Sequence, residues 1–158
     1  MAVAKALRIY ADTSVFGGVF DEEFADASRM LLRQAVEGRI ALVVSSIVHN
    51  EVMVGPARVA DLFRELTRIA EMVEPSERAL QLCAAYIEHG VVTPKWETDA
   101  MHVAIATVSR CSAIASWNFR HIVHFQKMAL YNGVNALMGY AAVAIHSPRE
   151  VVSYGEDV

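Results

Sequence analysis

A chain of 158 residues with 54% hydrophobic and 20% charged residues, 4 Pro and 8 Gly has the composition of one compact core. It excludes disorder and low complexity, and residues 1–158 are read as a single domain. A formal net charge of −4 excludes a broad basic grip on nucleic acid, so an RNA or DNA partner requires local basic patches, bound metal or a basic partner protein.

The opening run Met1–Leu7 has neither a long apolar core nor a cleavage-site pattern, and no stretch approaches the ~20 apolar residues of a membrane span. A cytosolic protein without membrane segments is expected. The two cysteines, Cys83 and Cys111, are too isolated for a disulfide framework or a CxxC metal knuckle, and both read as core thiols.

Leu7–Ala11 reads as a short buried strand that stops at Asp12, ahead of Gly17-Gly18 and a helical pattern. From about Glu22 to Glu37, Phe24, Ala27, Leu31, Leu32 and Ala35 recur at helical spacing with Ser28 on the same face, and Gly38 is the stop. Arg39–Ser46 is a continuous apolar run, the mark of a strand covered on both faces. Its serines cap a short helix through Ile47–Met53 that carries Glu51 and breaks at Gly55-Pro56. With Pro56 at the first helical position, Val59, Leu62, Phe63, Leu66, Ile69 and Ala70 form an apolar stripe. That stripe is wide enough to serve the core, a dimer or a partner protein.

Met72-Val73-Glu74 reads as an edge strand, and Ser76 opens a helix with Ala79, Leu80, Cys83, Ala84 and Ile87 on its buried face. Thr93-Pro94 starts another helix, running to about Arg110, with Asp99 and His102 three apart on one face. Ser112–Trp117 is the next buried strand, ending at Asn118. Helical material follows from His121 to about Met138, then a last strand over Ala142–His146. Alternation of this kind predicts an α/β fold, a three-layer α/β/α sandwich on a parallel sheet of four to five strands.

Asp12 and Glu51 lie where a strand hands over to a helix, and Asp99 lies in the first turn of one. If the first two strands are neighbours, two of these carboxylates meet at one sheet edge, where open parallel sheets bind ligands, and such a cluster calls for a cation. The bland alternatives remain beside it: Asp12 as helix cap, Asp99 as complement to the helix dipole, Glu51 as a solvated residue.

The segments Ile9–Phe16, Ser45–Glu51, Asp99–Ala106 and Ser116–His121 stand in the order and spacing of a PIN domain, and the chain resembles that family over nearly its whole length. It is most similar to the stand-alone prokaryotic PIN proteins that include VapC-like toxins. The resemblance implies a metal-dependent endoribonuclease, the toxin of a toxin–antitoxin pair, with an RNA substrate, an antitoxin partner and a homodimer. Asp12, Glu51 and Asp99 then hold Mg²⁺ or Mn²⁺, as hard oxygen donors suit those ions. Asn118 stands where a fourth acid often does in the family, a neutral oxygen ligand that weakens a second metal.

Thr13, Ser14 and Ser45 are placed to hydrogen-bond the carboxylates or to cap the backbone, and His102 to bond Asp99 or a phosphate. Arg120, His121 and Lys127 are placed to grip an RNA backbone or to form a solvated helix face, and Trp117 to stack on a base or pack in the core. The six histidines show no HExxH or clustered ligand spacing. A haloacid-dehalogenase-like phosphatase needs an acid two residues after Asp12, and that residue is Ser14. A PIN fold that binds RNA or protein without cutting is the remaining alternative.

Overall fold

The computed structural model describes residues 5–156, so most of the opening run Met1–Leu7 lies outside the described residues. Five strands form one sheet, β1 (Arg8–Ala11), β2 (Ala41–Ser45), β3 (Glu71–Val73), β4 (Ala113–Ala115) and β5 (Ala144–His146). They are all parallel, in the order β3-β2-β1-β4-β5. Eight described helices flank the sheet: α1 (Thr13–Gly18), α2 (Ala25–Val36), α3 (Ser46–Met53), α4 (Ala57–Leu66), α5 (Glu77–Glu88), α6 (Glu97–Val108), α7 (Phe125–Leu137) and α8 (Pro148–Glu156). This is the expected α/β/α sandwich.

Burial explains the strand sequences. The central strands β1, β2 and β4 are covered by helices on both faces and accordingly are largely apolar and buried, whereas the edge strand β3 leaves Glu71 and Met72 exposed. Arg8 ties that edge back to the centre. Its guanidinium forks onto Glu71, Nε to Oε1 at 3.1 Å and Nη2 to Oε2 at 2.7 Å, while Nη1 donates to the Ser109 carbonyl at the end of α6.

Helical periodicity placed most elements, but one helix face and three boundaries differ. On α5, Leu80 is 52% exposed and Ala84 is exposed, while Leu82, Cys83 and Tyr86 are buried. The face turns because α5 packs against both α6 and α7, where Tyr86 meets Tyr131 edge-on at 4.8 Å and its hydroxyl donates to Asn135. Phe63 and Leu66 of α4 are core residues, so that stripe is not a free surface, and only Ile69 beyond the helix end is exposed. Pro56 caps α4 from outside, and a 3-10 turn over Pro94–Trp96 precedes α6. Helix α7 begins at Phe125, because the Asn118 side chain closes a turn over the residues just after β4.

Gly18 marks the tightest packing near the sheet edge. A Cβ there would lie 2.6 Å from Ser28 Oγ and 2.7 Å from Trp117 Nε1, two atoms already bonded to each other at 2.8 Å. The Trp117 ring cannot yield, as it stacks on Phe24 at 4.2 Å. Gly18→Ala is therefore expected to destabilise the fold by about 1–3 kcal/mol, the usual cost of overpacking. A urea melt with an unchanged m value and a lower midpoint is the check.

Candidate active site

Strand order reverses between β1 and β4, and at the carboxyl ends of these strands stands Asp12. The β1–β4 pairing sets Ala11 opposite Ala115, and the Asp12 amide donates to the Ala115 carbonyl at 3.3 Å, which brings residue 116 beside residue 12. Asp12 is buried at 4% exposure and caps α1. Its Oδ1 accepts from the Ser14 amide at 3.1 Å and from Ser14 Oγ at 2.6 Å; its Oδ2 accepts from Ser116 Oγ at 2.5 Å. Burial pushes the Asp12 carboxyl above its ordinary range and the Glu51 charge adds to that, against the pull of His102 and the two serines.

Glu51 reaches the same edge from α3, since β2 is the other neighbour of β1. Its Oε1 accepts from Thr13 Oγ1 at 2.8 Å and pairs with His102 Nε2 at 2.7 Å, leaving Oε2 without a protein partner among the described residues. Partial burial pushes the Glu51 carboxyl up, but the His102 bond and charge and the Thr13 hydroxyl outweigh it, and the group ends below the usual carboxylate range. The expected His102–Asp99 bond is thus replaced by a His102–Glu51 bond.

His102 in turn anchors a chain of hydrogen bonds into the core. Nδ1 lies 2.7 Å from the Tyr10 hydroxyl, which lies 2.7 Å from Ser45 Oγ, and that oxygen accepts the Val48 amide at 3.4 Å at the start of α3. The Tyr10 hydroxyl, both donor and acceptor, bridges His102 Nδ1 and Ser45 Oγ, and His102 Nε2–H faces Glu51. Burial holds the Tyr10 phenol far above its ordinary pKa, so it stays a neutral donor. Ser45 therefore serves both the α3 cap and this chain, without touching a carboxylate.

Asp99 occupies the first turn of α6, partly buried, with no hydrogen bond or ion pair among the described residues. Its charge acts on His121 and Tyr131. No group of three or more His, Cys, Asp and Glu side chains positioned to hold a metal ion occurs among the described residues. The pair brought together is Asp12 and Glu51.

Asn118 Oδ1 accepts the amides of Arg120 at 3.2 Å and His121 at 2.9 Å, and its own amide donates to Ser116 Oγ at 2.9 Å. Its carboxamide oxygen shapes the turn after β4. Trp117 takes the core option: it is buried, stacked on Phe24 and bonded to Ser28, with no face open to a base. An aromatic-cation cluster is built instead on the half-buried Trp96, which stacks on the buried His121 at 4.1 Å and has exposed Lys95 at 5.0 Å and Arg120 at 5.6 Å from its ring centroid. Lys127 is spent on the Val91 carbonyl at 2.7 Å.

Residues 9–123 match the family model of the PIN domain, a stretch that opens in β1, closes in the turn after β4 and contains Asp12, Glu51, Asp99 and Asn118. The chain belongs to the PIN domain family. No curated protein matches it in sequence. PIN domains are a nuclease fold with nucleic-acid substrates, and PIN nucleases usually employ divalent metal ions. No described helix is long and apolar enough to cross a membrane.

Ser116 and Tyr10 are the site residues that sequence reasoning missed. Ser116 closes the Asp12 cradle and Tyr10 links His102 to Ser45. Both contacts depend on strand order, which places β4 and β2 on either side of β1, and no spacing along the chain carries that information.

Proposed function

We propose that this PIN domain is a Mg²⁺- or Mn²⁺-dependent endoribonuclease that hydrolyses RNA phosphodiester bonds, with Asp12, Glu51 and Asp99 as the residues that hold the cation and Asn118 as a neutral oxygen donor beside them. The observation that carries this reading is the buried Asp12 carboxylate. It sits at the strand-order reversal, held by three hydrogen bonds, electrostatically coupled to Glu51 and without a cationic partner in contact. Two carboxylates suit a hard divalent ion that keeps several waters and completes its shell with substrate phosphate oxygens. When bound by these residues, such an ion would supply polarisation of the phosphate, a lowered pKa for the attacking water and compensation of charge on the leaving oxygen.

The protein's own groups supply orientation and charge. Ser14 and Ser116 fix both oxygens of Asp12, so its charge is presented in one geometry. Thr13 and His102 occupy Oε1 of Glu51 and keep the group ionised, which leaves Oε2 to accept from a water or to bind the cation. Arg120 and Lys95, both exposed beside Trp96, are cations for the RNA backbone in a chain otherwise acidic overall. The same reading makes the protein a cytoplasmic toxin with an antitoxin partner and a homodimeric state. Exposed Phe125, Leu130 and Leu137 on α7 offer apolar surface for either contact.

Calorimetric titration with Mn²⁺ is the first test, since it does not depend on the choice of RNA. Saturable binding is expected, weakened tenfold or more in Asp99→Asn, in parallel with EDTA-sensitive cleavage of RNA. Absence of binding at millimolar Mn²⁺ would instead favour a PIN fold that binds RNA without cutting it.

A further inference from the structure

Four described residues have positive φ, each two positions beyond the end of a helix: Gly38 after α2, Gly90 after α5, Gly139 after α7, and Arg110 after α6 at 58°. Three follow the usual rule, because glycine enters the left-handed region at no steric cost. The fourth places a long cationic side chain where a side chain is disfavoured. Closing the helix does not explain it. The Arg110 amide bonds the Thr107 carbonyl at 3.1 Å and the Cys111 amide the Ala106 carbonyl at 3.0 Å, contacts that glycine would make equally well. Nor is its charge needed at the helix end, where the Arg8 guanidinium already holds the Ser109 carbonyl.

Arg110 lines a cavity of about 410 Å³ at the edge of the sheet opposite Asp12, together with Arg78, Val108, Tyr140, Ala141 and Ala142. Neither arginine forms an ion pair or a side-chain hydrogen bond among the described residues, and no acid lines the cavity although the chain carries 18 of them. Ala141 and Ala142 lie between Gly139 and β5, outside helix and strand, and their amides have no protein partner among the described residues. The wall therefore offers two guanidinium forks with no carboxylate to answer them, beside the unbonded amides of the exposed Ala141 and Ala142. Guanidinium forks match the oxygens of a phosphate in pairs. The volume lies in the range of small-molecule sites.

We propose that this cavity is a second binding site, separate from the acidic edge, for a small phosphate-bearing ligand. Arg110 and Arg78 contact the phosphate oxygens, and the apolar wall of Val108 and Tyr140 takes the rest of the molecule. The site stands independently of RNA cleavage.

The test is calorimetry and thermal shift with inorganic pyrophosphate and with ADP in EDTA, which keeps divalent metal out of the acidic pocket. Saturable binding of either probe is expected, absent for adenosine and retained in Asp12→Asn. Affinity is expected to fall at least tenfold in Arg110→Gly and in Arg78→Gln. Arg110→Gly is the decisive variant because glycine suits the local backbone, so it is expected to melt no lower than wild type while losing the ligand. No binding of either probe at millimolar concentration, or equal affinity in wild type and Arg110→Gly, overturns the proposal. So does an Arg110→Gly protein that melts well below wild type without ligand, since Arg110 is then structural.

Discussion

Asp12→Asn is expected to abolish Mn²⁺ binding and to lower RNA cleavage by about 1,000-fold or more, yet to melt no lower than wild type in EDTA. The first half follows from charge, because a neutral amide removes the most enclosed anion of the proposed cation site. The several kcal/mol of transition-state stabilisation that a bound metal supplies correspond to three or more decades in rate. The second half follows from burial. The Asp12 carboxylate is enclosed without a cation in contact, so in the metal-free fold its ionised form is disfavoured. Asn fills the same space, keeps an oxygen for the Ser14 donors and turns its NH₂ toward Ser116 Oγ, which can accept.

The pH dependence of stability carries the same signature. A folded carboxyl raised above its unfolded value binds more protons in the native state, so its ionisation lowers stability as pH rises from the unfolded value through the folded one. Glu51 acts oppositely. Its folded value is depressed, so its contribution is present above the unfolded value and is lost as pH falls through the folded one. In EDTA, Asp12→Asn should therefore remove the component that declines with rising pH and keep the acid-side loss due to Glu51. A mutant that melts lower than wild type at neutral pH would make Asp12 a structural cap first and a ligand second.

The parts of this molecule that follow from local rules could be read from its sequence, and those that depend on register could not. Short buried stretches announced β1, β2 and β4, and Gly38 announced the stop of α2, because burial and backbone freedom act over a few residues. The same local rules marked Asp12 as a strand-end acid and placed Glu51 on the short helix after β2. What they omit is which strand lies beside which. Ser116 was overlooked for that reason, and His102 was paired with its helix neighbour Asp99 when the fold sets it against Glu51, 51 residues away in sequence. Trp117 illustrates a different limit. Its position left base stacking and core packing both open, and an indole with a stacking partner in Phe24 and a hydroxyl acceptor in Ser28 is more stable packed inside.

His102→Ala is expected to cost about 3 kcal/mol of stability and about 100-fold in cleavage, and Tyr10→Phe about 1–3 kcal/mol with a smaller loss of rate. His102 is 2% exposed, so truncation opens a hole in the core and strips a hydrogen bond from both of its neighbours. Glu51 keeps Thr13 as its remaining partner and becomes free to turn about that single contact, which loosens the carboxylate that faces Asp12. Tyr10→Phe alters the chain one step further in. Ser45 retains the Val48 amide while Nδ1 of His102 faces a ring edge in place of a hydroxyl, the orphaned buried group that sets the expected cost. If His102 acts on catalysis by holding Glu51, its loss and Glu51→Gln should be strongly non-additive in rate, the double variant being little worse than Glu51→Gln alone, while their effects on stability differ. Additive losses in rate would show that His102 and Glu51 contribute separately, and the chain from Tyr10 to Glu51 would then be a packing device of the core.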